Sequence, residues 1–104
     1  GSVRLKDFLE KEWKVDFLKI DIEGAEYAVL MDCGGRLNNV ENLFIEYHSW
    51  SKDRQKLSDI LRLLERNRFR YFIDTVVPRK APFINHGRHQ KMDLQLNIYA
   101  VKDG

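Results

Sequence analysis

Apolar residues cluster into four strand-like segments along the chain. Residues 16–22 form a short, nearly continuous apolar run, which is typical of a strand covered on both faces. Residues 43–48 form a second apolar strand whose far end turns polar. Residues 69–77 are rich in aromatic and β-branched side chains, and residues 94–101 alternate cleanly between apolar and polar, so both predict strands.

Helical periodicity separates most of these strands. Residues 53–66 carry leucine and isoleucine at i, i+3, i+4 and i+7, residues 24–33 are rich in helix formers, and residues 3–12 match a short amphipathic helix. The order helix, strand, helix, strand, helix, strand, strand predicts an α/β fold with a parallel sheet and right-handed crossovers. The last two strands lack a helix between them and can pair directly only as antiparallel neighbours.

Ionisable side chains stand at the carboxyl ends of the first two predicted strands. Asp21 and Glu23 end the first strand before a turn at Gly24, and Glu46 and His48 end the second on one face. Sites in open α/β sheets form beyond the carboxyl ends of strands, so these groups are candidates for chemistry. Each group also has a purely structural interpretation. Asp21 would be a solvated acid at a strand end, and Glu23 would be a helix-start acid favoured by the macrodipole. His48 would be a histidine bonded to nearby backbone.

Lys19 lies in the middle of the first predicted strand and shares a face with Phe17 and Asp21. A buried ammonium group needs a partner, so we expect Lys19 to form an ion pair with Asp21 or Glu46 across adjacent strands. The role predicted for Lys19 is structural rather than catalytic. Trp50 is open to two interpretations, as a lining of a substrate crevice or as packing.

Composition limits the class of protein. The chain has 104 residues, 43% of them hydrophobic and 33% charged, as in a soluble globular domain without a membrane span. The single Cys33 provides neither a disulfide framework nor a multi-cysteine metal site, and we expect a cytoplasmic location. Residues 66–104 are basic, but their charges are spread out, so nucleic acid is not expected as a partner. The loop residues His86, His89 and Asp93 lack a fourth ligand, and no metal site is predicted.

One string of residues resembles a known family. Lys19-Ile20-Asp21-Ile22-Glu23-Gly24-Ala25-Glu26, followed by Phe44-Ile45-Glu46-Tyr47-His48, resembles the FkbM-type methyltransferases. These enzymes use S-adenosylmethionine and mostly methylate hydroxyl oxygens of sugars or natural products. The resemblance implies the C-terminal half of a Rossmann-like domain, with family strands in the order 4-5-7-6 and strand seven antiparallel between five and six. Residues 1–104 are therefore expected to form a single unit, the C-terminal portion of a methyltransferase domain without its glycine-rich half.

The resemblance also implies roles for the strand-end residues. Asp21 is expected beside the transferred methyl group, as a base, a hydroxyl acceptor or a metal ligand, and Glu23 is expected to contact cofactor or substrate. Glu46 and His48 are expected at the same edge, with His48 able to take the hydroxyl proton. The glycine-rich loop and the ribose-binding acid of the family's first half have no counterpart in this sequence. We therefore expect S-adenosylmethionine to bind the full-length enzyme but not this chain alone.

Three functions remain open on the sequence. The first is a C-terminal fragment of an O-methyltransferase that is inactive alone. The second is a non-enzymatic half-domain that dimerises, because strand 17–22 would leave an apolar edge that a second chain can cover. A homodimer through this edge is expected in either case. The third is a metal-dependent hydrolase that uses the four acidic and imidazole groups at the sheet edge.

Overall fold

A computed structural model describes residues 15–22, 26–33, 37–86 and 91–103. They form four strands, two helices and one 3₁₀ turn over Leu37–Asn39. In chain order the elements are β1 (Val15–Ile22), α1 (Glu26–Cys33), β2 (Val40–Trp50), α2 (Leu57–Arg66), β3 (Phe69–Thr75) and β4 (Met92–Lys102). The helix predicted over residues 3–12 lies outside the described residues. Neither described helix has the length and hydropathy of a membrane span.

The four strands form one mixed sheet in the order β1-β2-β4-β3. β1 and β2 are parallel, and β4 runs antiparallel between β2 and β3. This arrangement confirms the predicted α/β fold class and the 4-5-7-6 order with an antiparallel last strand. The direct connection from β3 to β4 yields antiparallel neighbours, as a link without a crossover helix requires.

The observed element ends differ from those expected, because pairing overrides local patterns. β2 and β4 each contain 11 residues and extend beyond their apolar centres, since their backbones pair along nearly their whole length. Helix α2 begins only at Leu57, because a turn in which the Asp53 N–H donates to the Trp50 carbonyl at 3.0 Å occupies the preceding residues. β3 ends at Thr75, two residues earlier than the pattern predicts.

One face of the sheet carries the hydrophobic core. Ile20, Ile45 and Ile98 are cross-strand neighbours and are buried. Leu30 of α1 and Leu64 of α2 are fully buried in the same cluster. Each such side chain contributes about 1.5–3 kcal/mol relative to an exposed one. Both described helices therefore belong to the core on this face.

The opposite face, here called the open face, is the one that carries Phe17, Lys19 and Asp21 on β1. Phe17 is 62% exposed, and the side chains of Lys19 and Asp21 are 55% and 53% exposed. The expectation that β1 is covered on both faces is therefore wrong for the described residues. The physical reason is that both described helices pack on the core face, whereas the two-residue alternation of the strand directs these three side chains to the other face.

A hydroxyl in the core fixes the segment that follows β2. Tyr47 is 2% exposed, and its hydroxyl accepts a hydrogen bond from the Lys56 backbone N–H at 2.8 Å. Lys56 is the residue immediately before α2, and it makes no side-chain capping bond to the helix. The contact satisfies one of the amide groups that a helix start leaves unpaired. Tyr47 thereby couples the end of β2, where the candidate site lies, to the start of α2.

Candidate functional site

The candidate residues meet at one edge of the sheet. Parallel strands β1 and β2 end at this edge, and the antiparallel β4 begins there. Asp21 and Glu46 are direct register partners near the ends of β1 and β2. Because directly opposite residues share a face, both carboxylates lie on the open face. The sequence prediction that these two residues share one edge is confirmed.

Glu46 lies between an amide and an imidazole. Gln95 of β4 donates a hydrogen bond from Nε2 to Glu46 Oε1 at 3.2 Å. His48 Nε2 lies 3.9 Å from the same oxygen, within ion-pair range but longer than a hydrogen bond. The His48 side chain is 13% exposed, and its ring stacks on Trp50 with a centroid separation of 6.0 Å. This geometry holds an imidazole beside a carboxylate, an arrangement able to accept and pass on a proton.

The environment of Lys19 differs from the expected one. Its ammonium lies 3.8 Å from Asp21 Oδ1, so one of the two predicted partners is observed. The pair is formed within one strand rather than across strands, and both side chains are more than half exposed. The expectation that the Lys19 side chain is buried is therefore wrong. The ammonium also lies 5.9 Å from the centre of the Phe44 ring, which places a positive charge between the acidic edge and an aromatic side chain.

Asp93 takes a role that the sequence did not reveal. The register between β2 and β4 pairs Ser49 with Leu94 and Trp50 with Met92, so Asp93 is the extra residue of a β-bulge. Its carboxylate accepts hydrogen bonds from the hydroxyls of Ser49 at 3.0 Å and Ser51 at 3.2 Å. Asp93 thereby ties the end of β2 to the start of β4. Sequence spacing contains no signal for a bulge at this position.

The structure does not describe every candidate residue that the sequence singled out. Glu23 lies outside the described residues, as does His89 of the loop. Within the described parts of the chain, no three His, Cys, Asp or Glu side chains gather closely enough to hold a metal ion. The arrangement on the described strands is thus an exposed carboxylate at Asp21 and a Glu46–His48 pair beside it.

Comparison with known proteins assigns the family. The family model described as "Methyltransferase FkbM domain" matches residues 2–71. No protein of curated function matches the chain at a significant level. The crystal structure of M1.HpyAVI matches with a TM-score of 0.53 and 23% sequence identity, over 94% of this chain and 51% of the other, and supports the fold. The chain thus spans about half the length of the structure it matches. Because the family match includes more than half of its 104 residues, the chain belongs to the FkbM methyltransferase family.

Proposed function

We propose that this chain is the acceptor side of an S-adenosylmethionine-dependent O-methyltransferase domain that acts on a hydroxyl group of a sugar or natural product. The observation that carries the proposal is the pairing of Asp21 with Glu46 on the open face, with His48 beside Glu46. Family membership supports methyl transfer as the reaction. The choice of a hydroxyl oxygen as the methylated atom rests on the resemblance to FkbM-type enzymes, and these three side chains supply groups that can orient the hydroxyl and accept its proton.

Methyl transfer to a hydroxyl needs an aligned oxygen and an acceptor for its proton. S-adenosylmethionine supplies the activated methyl group when bound. In the proposal, Asp21 accepts a hydrogen bond from the substrate hydroxyl and orients its oxygen. The imidazole of His48 takes the proton, and the Glu46 carboxylate stabilises the resulting imidazolium. The exposure of Asp21 fits contact with a ligand, since more than half of its side chain is accessible.

In the proposal, most of the S-adenosylmethionine site lies outside this chain. The sequence has no glycine-rich loop following a strand, which is the usual cradle for such cofactors. We therefore propose that the chain needs a glycine-rich half, on the same or another polypeptide, to bind S-adenosylmethionine and to be active. A cytoplasmic location belongs to the same proposal, as does a small-molecule rather than a nucleic-acid acceptor.

A labelled-methyl assay tests the proposed reaction. Domains that combine this chain with a glycine-rich half are incubated with methyl-labelled S-adenosylmethionine and a panel of hydroxylated sugars. Because the product is expected to be a methyl ether, the label should remain on the sugar after mild alkali, whereas a methyl ester would be hydrolysed. Label found only in alkali-labile products or on amino groups would contradict the proposed O-methylation.

A second candidate function is a non-enzymatic half-domain that associates with a copy of itself. The observation that favours it is the open face together with the outer edge of β1. β1 is the first strand in the sheet order, so no described strand pairs with its outer side. An uncovered parallel strand is unusual, because such strands are normally buried on both faces. This function and the enzymatic one differ in whether any completed domain transfers a methyl group.

A further inference from the structure

A cavity of about 260 Å³ lies beside the candidate site, at the same edge of the sheet. It is formed where the segment after β3 folds against the start of β4. Its lining includes Arg79, Lys80, Lys91, Asp93 and Gln95. Its volume is below the range of drug-sized ligand sites, so it suits one small polar group of a larger molecule.

The cavity wall is held in place by Arg79. Its guanidinium donates hydrogen bonds to the backbone carbonyls of Asn85 at 2.8 Å, Met92 at 2.7 Å and Asp93 at 3.1 Å. The Asn85 side chain in turn donates to the Lys80 carbonyl at 2.9 Å. These bonds connect the segment after β3 to the first residues of β4. The cavity is therefore shaped by specific contacts.

The described cavity wall carries more positive than negative charge. Among the ion pairs of the described residues, none joins a carboxylate to Arg79, whose partners are neutral carbonyls. Lys80 and Lys91 add two positive charges to the lining. Asp93, the one acid among the described lining residues, accepts hydrogen bonds from Ser49 and Ser51. An excess of positive charge in a formed cavity favours an oxyanion.

Gln95 connects the cavity to the candidate catalytic pair. It lines the cavity and donates a hydrogen bond to Glu46 Oε1 at 3.2 Å. An oxyanion in the cavity would thus lie one side chain away from Glu46 and His48. We propose that the cavity binds an oxyanion group of the methyl acceptor, which is then a hydroxyl compound that also carries a phosphate or carboxylate. The identity of this ligand as the acceptor rests on the proposed function.

An NMR titration of this chain with sodium phosphate, at constant ionic strength, tests the site without any cofactor. We expect saturable amide shifts at residues 79–80 and 91–95. The double variant K80Q/K91Q should weaken binding by about five- to tenfold, because two partly solvated charge contacts are lost. The matched control is Lys52→Gln, since Lys52 is an exposed lysine outside the cavity and should leave binding unchanged.

The outcomes separate this inference from the proposed reaction. A parallel titration with acetate shows whether phosphate or carboxylate is preferred, and saturable binding of either, weakened in K80Q/K91Q, supports the site. Shifts that do not saturate, or that K80Q/K91Q leaves unchanged, overturn it. Because no methyl transfer is measured, that result would leave O-methylation standing. Failure of methyl transfer together with intact phosphate binding would instead remove the proposed function.

Discussion

Replacement of Asp21 by asparagine should lower the rate of methyl transfer by about 10²-fold in the completed domain, the loss that misplacement of a reacting group can cause. The amide keeps the size of the side chain but loses the negative charge that orients the hydroxyl. Asp21 is 53% exposed and lies outside the core, so the fold should persist. The measurement is the turnover of methyl-labelled S-adenosylmethionine, with circular dichroism to confirm folding.

Asp74→Asn is the matched control for this variant. Asp74 pairs in register with Asn97, which in turn pairs with Glu46, so all belong to the same row of the open face as Asp21. It is an exposed carboxylate on β3, away from the Glu46–His48 pair. Its replacement should leave turnover within about twofold, as is usual for surface substitutions. Equal losses in both variants would mean that the open face needs only its overall negative charge, and a catalytic role for Asp21 would be lost.

Phe17→Glu should convert the chain from a dimer to a monomer. We propose that two copies associate through the outer edge of β1, which no described strand covers and where Phe17 is 62% exposed. A charge placed at a strand edge opposes pairing with another strand. Light scattering over a range of concentrations should give twice the mass of one chain for the parent. The variant should give the 12.4 kDa of one chain.

The chain contains a close control for this edge. Phe72 is also 62% exposed on the open face, but it belongs to β3 at the opposite side of the sheet. Phe72→Glu should therefore leave the dimer intact. If both variants are monomeric, association involves the whole open face rather than the β1 edge. A parent chain that is monomeric at every concentration would contradict the proposed homodimer.

Much of the architecture could be predicted from the sequence because its patterns are local. The helical spacing of apolar residues over 53–66 and the alternation over 94–101 identified α2 and β4, and the connection without a helix gave the antiparallel last pair. The meeting of Asp21 and Glu46 followed from parallel strands ending at the same edge. These inferences needed only the period of each element and the rule that joins them.

Other features depend on contacts that no local pattern encodes. The exposure of Lys19 could not be read from its neighbours, because a strand's apolar content does not state how many faces are covered. The bulge at Asp93 arises from the register between β2 and β4. The role of Arg79 depends on carbonyls at Asn85 and Met92 that only the folded loop brings together. Long-range hydrogen bonding decides the last two cases, and the position of the packed elements on one face of the sheet decides the first.

Calorimetric titration of S-adenosylmethionine tests most directly whether this chain holds the acceptor side of the site but not the cofactor side. The titration is carried out on the chain alone and on the chain combined with a glycine-rich half. No saturable heat is expected from the chain alone at millimolar ligand, and micromolar binding is expected from the combined domain. Micromolar binding by the chain alone would contradict the proposal that the cofactor side of the site lies outside this chain. It would show that the chain's own residues, in one copy or two, form a complete cofactor site.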